Sequence, residues 1–210
     1  MQYLVLDTET TGLDPRKERI IEFAAVPIEG LMIAHNQYQQ YFNPECEISH
    51  ESYKIHKLNN EFLKPFPTFA QKAHELREYL EGKVLIIHNA AFDIGFLNAE
   101  FKRCNILPLT NHVIDTLHIA RAKYPGKRAS LDSLCVKFNI NLNERTAKGH
   151  GALLDSQLLA MVYLKMITDQ VELDLDNNKQ TQTNQAFSTN VRVALSIDEA
   201  QIHADFIESL

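Results

Sequence analysis

The apolar positions in the first part of the chain are grouped as they are in strands. Short apolar runs separated by turn residues are typical of an antiparallel meander. The runs lie at Tyr3–Asp7 and Ile20–Ile28, followed by one or two further strands in Leu31–Ile33 and Gln37–Phe42. A loop-rich stretch that contains three prolines, Asn43 to Pro67, follows the predicted sheet.

Beyond that stretch the spacing changes to one of alternating helices and strands. Apolar residues recur on one helical face in Thr68–Glu81, and Gly82 is expected to end that helix. Asn89 is expected to cap the next helix. The remaining predicted elements are the strands Val84–Ile87 and Val113–Asp115 and the helices Ala90–Arg103, Ser130–Phe138 and Leu153–Thr168. Strands first, then alternating helices and strands, predict an α/β fold in which helices cover a mixed sheet.

The composition changes after Thr168. Residues 169–190 are rich in Asn, Gln, Asp and Thr, which is typical of a flexible linker. Order is expected to resume with a strand at Val191–Leu195 and a helix that begins at the capping box Ser196–Glu199. A strand and a short helix cannot bury enough surface to fold alone. We therefore predict a domain over residues 1–168, a linker over residues 169–190 and a segment over residues 191–210 that docks on a partner.

Length, composition and charge limit the class of protein. The chain has 210 residues, of which 45% are hydrophobic, enough for one full core and a small appendage. A formal net charge of −6 argues against holding long duplex nucleic acid by bulk electrostatics, though not against gripping a few nucleotides. No run approaches the roughly 20 apolar residues that cross a bilayer, and the first residues are typical of a strand, not of a signal peptide. Three widely spaced cysteines fit neither a disulfide framework nor a zinc site, which favours a reducing cytoplasm.

Four carboxylates and one histidine lie inside or against apolar runs. An ionised carboxylate is costly there unless something positive neutralises it. Asp7 and Glu9 are two residues apart, so on a strand both side chains project from the same face and favour a cation between them. Asp93 is predicted in the first turn or two of a helix, Asp155 in the first turn of a later helix, and His150 in a loop between two glycines.

Each of these residues also has an ordinary interpretation. Asp7 and Glu9 could be solvated acids at a strand end, Asp93 and Asp155 ordinary first-turn acids, and His150 a loop histidine. All five ordinary interpretations together are improbable. If the three segments converge, a divalent metal is the natural neutraliser, and a two-metal phosphodiester hydrolase follows.

Four sequence runs carry a resemblance to a known family: LDTETTG (6–12), IHNAAFDIGF (87–96), PGKRASLDSLC (125–135) and HGALLD (150–155). They resemble the motifs of the DEDD exonuclease superfamily, in its histidine-bearing branch. More closely, the chain from Tyr3 to about Met166 is similar to the epsilon, or proofreading, subunits of bacterial DNA polymerase III. The resemblance implies a ribonuclease-H-like mixed sheet and the 3′→5′ removal of nucleotides from a DNA terminus.

The resemblance also implies roles for individual residues. Asp7, Glu9 and Asp155 would hold the first of two divalent cations, Mg²⁺ or Mn²⁺, and Asp7 would bridge to the second, near Asp93. One cation would activate the attacking water and the other would stabilise the leaving 3′-oxygen, while His150 takes the proton from the water. The residues expected to bind the terminal nucleotide are Asp7, Thr8, Glu9, Glu51, His56 and Asp155.

Partners are implied in the same way. Residues 191–210 are similar to the tail by which epsilon subunits dock on the polymerase catalytic (alpha) subunit, and residues 182–187 resemble the peptide by which replication proteins engage the sliding clamp. A basic cluster around Pro125–Gly126 could steer the phosphate backbone of the substrate, and a solvated loop is the alternative. The cluster consists of Arg121, Lys123, Lys127 and Arg128.

Two other functions remain open at this point. An RNA-trimming exonuclease of the same superfamily would share the motifs, but such enzymes lack a polar linker followed by a docking segment. A catalytically idle scaffold in a replication complex would not need all five catalytic positions filled. A nucleotide-binding kinase or ATPase is excluded because the sequence has no glycine-rich phosphate loop.

Overall fold

A mixed sheet organises the computed structural model, which describes residues 2–181, without the side chains of residue 148 and residues 169–181. The described strands are β1 (Tyr3–Thr10), β2 (Ile20–Glu29), β3 (Met32–Ile33), β4 (Tyr38–Tyr41), β5 (Val84–Ile87) and β6 (Val113–Asp115). The strand order is β3-β2-β1-β5-β6, and β4 also pairs with β2. The first four strands pair antiparallel, whereas β1 with β5 and β5 with β6 pair parallel. The predicted meander followed by parallel strands is therefore confirmed.

Helices cover both faces of this sheet. They are α1 (His50–His56), α2 (Asn60–Leu63), α3 (Phe69–Leu80), α4 (Ala90–Arg103), α5 (Thr116–Lys123), α6 (Leu131–Lys137), α7 (Asn143–Lys148) and α8 (Ala152–Thr181). The predicted α3, α4 and α6, and the predicted start of α8, are confirmed to within a residue. The prediction of a loop from Asn43 to Pro67 was wrong in part, because α1 and α2 lie within it. Such short helices carry little periodicity, and side-chain caps such as Ser49 and Asn59 mark where they begin.

The end of α8 also differs from its predicted position. The helix continues past Thr168 to Thr181, so the first part of the predicted linker is helical. Extending an existing helix costs far less than nucleating one, which allows a polar sequence to continue it. Residues 182–210, and with them the predicted clamp peptide and docking segment, lie outside the described residues. Within the part that is described, no helix combines the length and the apolar character that crossing a membrane requires.

Two buried clusters form the core, one on each face of the sheet. On β1, Val5 belongs to the cluster that packs against α6 and α8, whereas Leu4 and Leu6 belong to the cluster that packs against α3 and α4. Burial of one such aliphatic side chain contributes about 1.5–3 kcal/mol. Because side chains alternate along a strand, Asp7 and Glu9 continue the face of Val5 and are directed toward α8.

Candidate active site

Strand β1 presents the first two carboxylates. It extends to Thr10, further than predicted, so Asp7 and Glu9 both lie within the strand and share a face. Ladder pairing places Glu9 opposite Glu22 of β2, and the register shifts directly after Glu9. Three acids from two adjacent strands therefore crowd one face of the sheet near the end of β1.

Asp93 reaches this strand from a helix. Strand β5 pairs with β1 only from Tyr3 to Val5, so the second half of β1 has a free edge on that side. Asp93 fills it: its Oδ1 accepts hydrogen bonds from the Thr8 backbone N–H at 3.0 Å and from the Thr8 hydroxyl at 2.7 Å. The carboxylate thus takes the place of a neighbouring strand's carbonyl, which ties the first turn of α4 to β1.

The start of α4 is fixed by a different residue from the predicted one. Asn89 occupies the N-cap position with a left-handed backbone, φ 67°, but its side chain makes no cap hydrogen bond. The carboxylate of Asp115 accepts instead from the backbone N–H groups of Asn89 and Ala90, both at 3.1 Å, and from that of Leu117 at 2.9 Å. Asp115 therefore caps α4 and α5 together and fixes the first turn, which carries Asp93, against the end of β6.

The last two predicted residues come from the start of α8. Asp155 is buried in its first turn, and Nδ1 of His150 lies 3.4 Å from Oδ2 of Asp155. The His150 backbone N–H donates to the carbonyl of Ile55 at 3.1 Å, so its loop is tied to α1. Gly149 permits this approach, because it has φ +86° and a Cβ there would lie 2.9 Å from the same carbonyl. One ligand atom each of Glu9, His150 and Asp155 lies within 4.8 Å of the others.

Arg145 of α7 supplies a cation that the sequence did not reveal. Its guanidinium grips Asp155 with two hydrogen bonds, of 2.6 and 2.9 Å, and also contacts Asp132. Nη2 of Arg145, which donates to Oδ2 of Asp155, also lies 3.0 Å from Nδ1 of His150. No local pattern marks Arg145, because its partners lie on other helices and in the following loop.

Glu22 is the second site residue that sequence reasoning missed. It is 1% exposed, and its carboxylate accepts hydrogen bonds from the Gln39 amide at 2.7 Å and from the Ala152 backbone N–H at 3.1 Å. The second bond caps the N-terminus of α8 and ties it to β2. A signal was present, because Glu22 is the one charged residue in the apolar run IIEFAAVPI.

The site holds more negative charge than the protein neutralises. Burial raises the pKa of Asp7 and of Glu9 well above their usual ranges, and the surrounding carboxylates raise both further. Burial also raises the pKa of Asp93 to about 7, although the hydrogen bonds from Thr8 oppose the shift. Burial likewise raises the pKa of Asp155, but hydrogen bonds from His150 and Arg145 outweigh it and leave that pKa below its usual value.

These residues fit a divalent cation. Carboxylate oxygens are ligands that divalent cations accept in proteins. Among the described residues of the site, the guanidinium of Arg145 is set against five carboxylates, those of Asp7, Glu9, Glu22, Asp93 and Asp155. The raised pKa values of Asp7, Glu9 and Asp93 show that this one cation leaves negative charge uncompensated. A cation bound among them would keep all of these acids ionised.

The residues predicted to bind the terminal nucleotide lie in β1, in α1 and, for Asp155, at the start of α8. Thr8 is beside Asp93, as described above. His56 ends α1 and is buried; its Nδ1 accepts from the Leu58 backbone N–H at 3.0 Å, and burial lowers its pKa to about 4. A neutral His56 then carries its proton on Nε2. Glu51 is exposed on the same helix. His56 and His150 line one cavity of about 370 Å³.

Comparison with known proteins agrees with this architecture. Residues 4–163 match a family model described as "Exonuclease". The chain is similar in fold to Exonuclease X in complex with 5′ overhanging duplex DNA (TM-score 0.62, 22% identity, 80% of this chain and 92% of that one). It is also similar to Escherichia coli Exonuclease I in complex with a dT13 oligonucleotide (TM-score 0.73, 18% identity, 82% and 42%). The chain therefore belongs to the exonuclease family, as its motifs predicted.

Relatives with similar sequences show to which members of the exonuclease family the chain is related. The chain is 39% identical to the DNA polymerase III subunit epsilon of Escherichia coli (strain K12), over 95% of this chain and 85% of the relative. It is also 39% identical to the protein of the same name from Rickettsia typhi, over 100% of this chain and 97% of the relative. Within the exonuclease family, the chain belongs with these epsilon subunits.

Proposed function

We propose that the protein removes nucleotides from the 3′ end of DNA and serves as the proofreading subunit of a replicative polymerase in the cytoplasm. The observation that carries this proposal is the convergence of Asp7, Glu9, Asp93 and Asp155 from three distant segments beside His150. Such a cluster of acids needs cations, and cations held by carboxylates are suited to phosphodiester hydrolysis. Membership of the epsilon family identifies DNA as the substrate.

In this proposal Asp7, Glu9, Asp93 and Asp155 hold two divalent cations, Mg²⁺ or Mn²⁺, which when bound supply an activated water and charge stabilisation of the leaving 3′-oxygen. Thr8 orients Asp93 through its two hydrogen bonds. His150, which lies beside Asp155, takes the proton of the attacking water. The terminal nucleotide lies against β1 and is contacted by Glu51 and His56 of α1.

The partners in this proposal are a DNA 3′ end, the polymerase catalytic (alpha) subunit and the sliding clamp. Residues 191–210 dock on the alpha subunit, and residues 182–187 contact the clamp. Tethering raises the effective concentration of the nuclease near the primer terminus, which suits an activity that acts only when a mismatched end frays.

Substitution of a metal-holding acid tests the proposed function. Asp7→Asn and Asp155→Asn should each lower kcat on 3′-labelled single-stranded DNA by at least ~100-fold, because an amide is a poor ligand for these cations. The measurement is digestion with Mg²⁺ or Mn²⁺ and with a chelator, on DNA and on RNA of the same sequence.

Asp14→Asn is the matched control, because Asp14 is an acid that lies outside the site and pairs with Arg16. This variant should digest DNA at the wild-type rate. Wild-type turnover by Asp155→Asn, or faster digestion of RNA than of DNA by the unaltered protein, would contradict the proposal.

A further inference from the structure

A second cavity, of about 610 Å³, opens next to the catalytic residues. Its volume falls within the roughly 300–1,000 Å³ typical of ligand pockets. Three of the nine described residues that line it are cations, Arg121, Lys127 and Arg145, and none of the nine is a carboxylate. The chain as a whole, by contrast, carries a net charge of −6. The lining of this cavity therefore favours an anionic ligand.

Two of the three cations are available to a ligand. Arg121 and Lys127 are exposed, and among the described residues neither forms an ion pair with a carboxylate. The rest of the basic cluster differs, because Lys123 donates to the carbonyl of Met166 at 2.6 Å and Arg128 does not line the cavity. Within the basic cluster, Arg121 and Lys127 are therefore the residues that can bind a ligand in this cavity.

The loop that carries Lys127 is held in place. The Lys127 backbone N–H donates to the carbonyl of Tyr124 at 3.1 Å, closing a turn in which Gly126 has φ +74°. The Tyr124 ring packs edge-on against Phe138, with centroids 6.2 Å apart. Because the turn is anchored, Lys127 projects from a defined position and little backbone order has to be gained on binding.

Each of the two cavities is lined by a residue that contacts Asp155. His150 lines the smaller cavity together with His56, and Arg145 lines the larger one. Arg145 and His150 are in contact, and both reach Asp155. A linear ligand that crosses Asp155 would therefore have one end in the cavity of His56 and the remainder in the cavity of Arg121 and Lys127.

We propose that Arg121 and Lys127 bind phosphodiesters of single-stranded DNA on the 5′ side of the bond that is cut. This inference rests on the proposed function, in which the 3′-terminal nucleotide occupies the cavity of His56. The strand then leaves the catalytic centre through the second cavity, where the two cations neutralise its next phosphates. Such contacts position the strand without reading its sequence.

The test compares two substrates that differ in their upstream phosphates. One is a single-stranded oligothymidylate, and the other is the p-nitrophenyl ester of thymidine 5′-monophosphate, which has none. The double variant Arg121→Ala/Lys127→Ala should raise KM for the oligomer roughly tenfold at low salt and leave its kcat unchanged. Its kinetics on the ester should equal those of the wild type.

Salt dependence supplies a second readout that a merely structural defect would not produce. Each lost contact to a single strand should reduce the slope of log KM against log salt by about 0.7, so the double variant should lose about 1.4. Lys102→Ala is the control for the loss of a surface cation outside the cavity. Lys102 is exposed in the last turn of α4, whereas Asn89 at the other end lines the cavity. This control should leave both quantities unchanged.

The outcomes separate this inference from the proposed function. Wild-type protein that cleaves neither substrate would contradict the proposed function and this inference with it. Wild-type cleavage of both substrates, combined with an unchanged KM and salt slope in the double variant, would overturn this inference alone. An equal loss on the ester would also overturn it, because the two cations would then act on the catalytic centre itself.

Discussion

Uncompensated charge distinguishes the acids of the site from the other acids of the chain. Asp14 is partly exposed, and a hydrogen bond from Arg16 lowers its pKa to about 2. Asp93 is buried, and burial raises its pKa to about 7 despite two hydrogen bonds from Thr8. The same side chain thus has opposite electrostatic properties in the two places. Groups with perturbed pKa values in a shared pocket are candidates for function, and here the site is arranged to take up cations.

The raised pKa of Asp93 predicts that metal-free protein loses stability as pH rises. The native state binds this proton more tightly than the unfolded chain, so the stabilisation is complete below about pH 4 and is lost as pH passes through about 7. Tm measured with a chelator should therefore fall between pH 5 and pH 8. The fall should be smaller in Asp93→Asn and absent with excess Mn²⁺, which displaces the proton. A Tm that is independent of pH in the chelated wild type would contradict this account.

Glu22 is predicted to position α8 for catalysis. Glu22→Ala removes the buried acceptor of the Ala152 N–H and should lower the free energy of unfolding by about 1–3 kcal/mol. It should also lower kcat by about 10–100-fold and weaken Mn²⁺ binding, because His150 and Asp155 flank Ala152. Glu22→Gln keeps an acceptor and should restore most of the stability, the kcat and the Mn²⁺ affinity.

Glu29 provides the control for this prediction, because it lies at the exposed end of the same strand. Glu29→Ala should change neither stability nor Mn²⁺ affinity. If Glu22→Ala unfolded at the same denaturant concentration as the wild type and bound Mn²⁺ equally well, Glu22 would be an incidental buried acid. Mn²⁺ titration and denaturant unfolding of the four proteins decide the question.

At the scale of elements, the predictable parts are those whose pattern repeats over several turns or alternations. Helices α3 and α4 and strand β2 have enough apolar positions to fix their type. The short helices α1 and α7 do not, since they have seven and six residues, and a pattern of fewer than two turns cannot be distinguished from a loop. These short helices nevertheless carry His56 and Arg145. The apolar pattern therefore failed to predict the two elements that position these site residues.

The loop between α7 and α8 is predicted to set the position of His150 through Gly149. Gly149→Ala introduces a Cβ at φ +86° and 2.9 Å from the Ile55 carbonyl, so the loop must move. Because a displacement of about 1 Å can cost as much as 100-fold in rate, kcat on single-stranded DNA should fall at least ~10-fold.

Gly82→Ala separates displacement from backbone strain. Gly82 has φ +68°, but nothing lies within 4 Å of an added Cβ, so this variant carries the same conformational penalty of about 1–2 kcal/mol without a clash. It should lose stability and keep its kcat. If both variants lost kcat equally, the effect on Gly149→Ala would come from stability and not from the position of His150.

For the whole molecule, the sequence predicted the layers and the class of the site but not how the site is assembled. The mixed sheet follows from strand spacing, and the acids stand out as charges in apolar runs. The sequence could not predict that Asp93 completes the free edge of β1 beside Thr8. This contact depends on the pairing of β5 with β1, which ends at Val5. Only the family resemblance predicted that these acids converge. Membership of the exonuclease family confirms the predicted class of protein.

The tail is predicted to connect the nuclease to the replication machinery without contributing to hydrolysis. A protein ending at Thr181 keeps every described site residue, so its kcat and KM on single-stranded DNA should equal those of the full chain. It should not bind the polymerase alpha subunit, because residues 191–210 are too few to fold alone and are expected to gain their order on that partner. Binding is measured by surface plasmon resonance with the alpha subunit immobilised.

A second variant separates the two predicted contacts of the tail. Gln182→Ala/Phe187→Ala in the full chain should weaken binding to the sliding clamp and leave alpha-subunit binding intact, because the two segments are different stretches of the chain. Loss of tethering should slow removal of a mismatched primer end at low enzyme concentration and have no effect at high concentration, since a tether acts only through effective concentration. Full alpha-subunit binding by the shortened protein would place the docking surface on the folded domain, and the polar tail would then need another explanation.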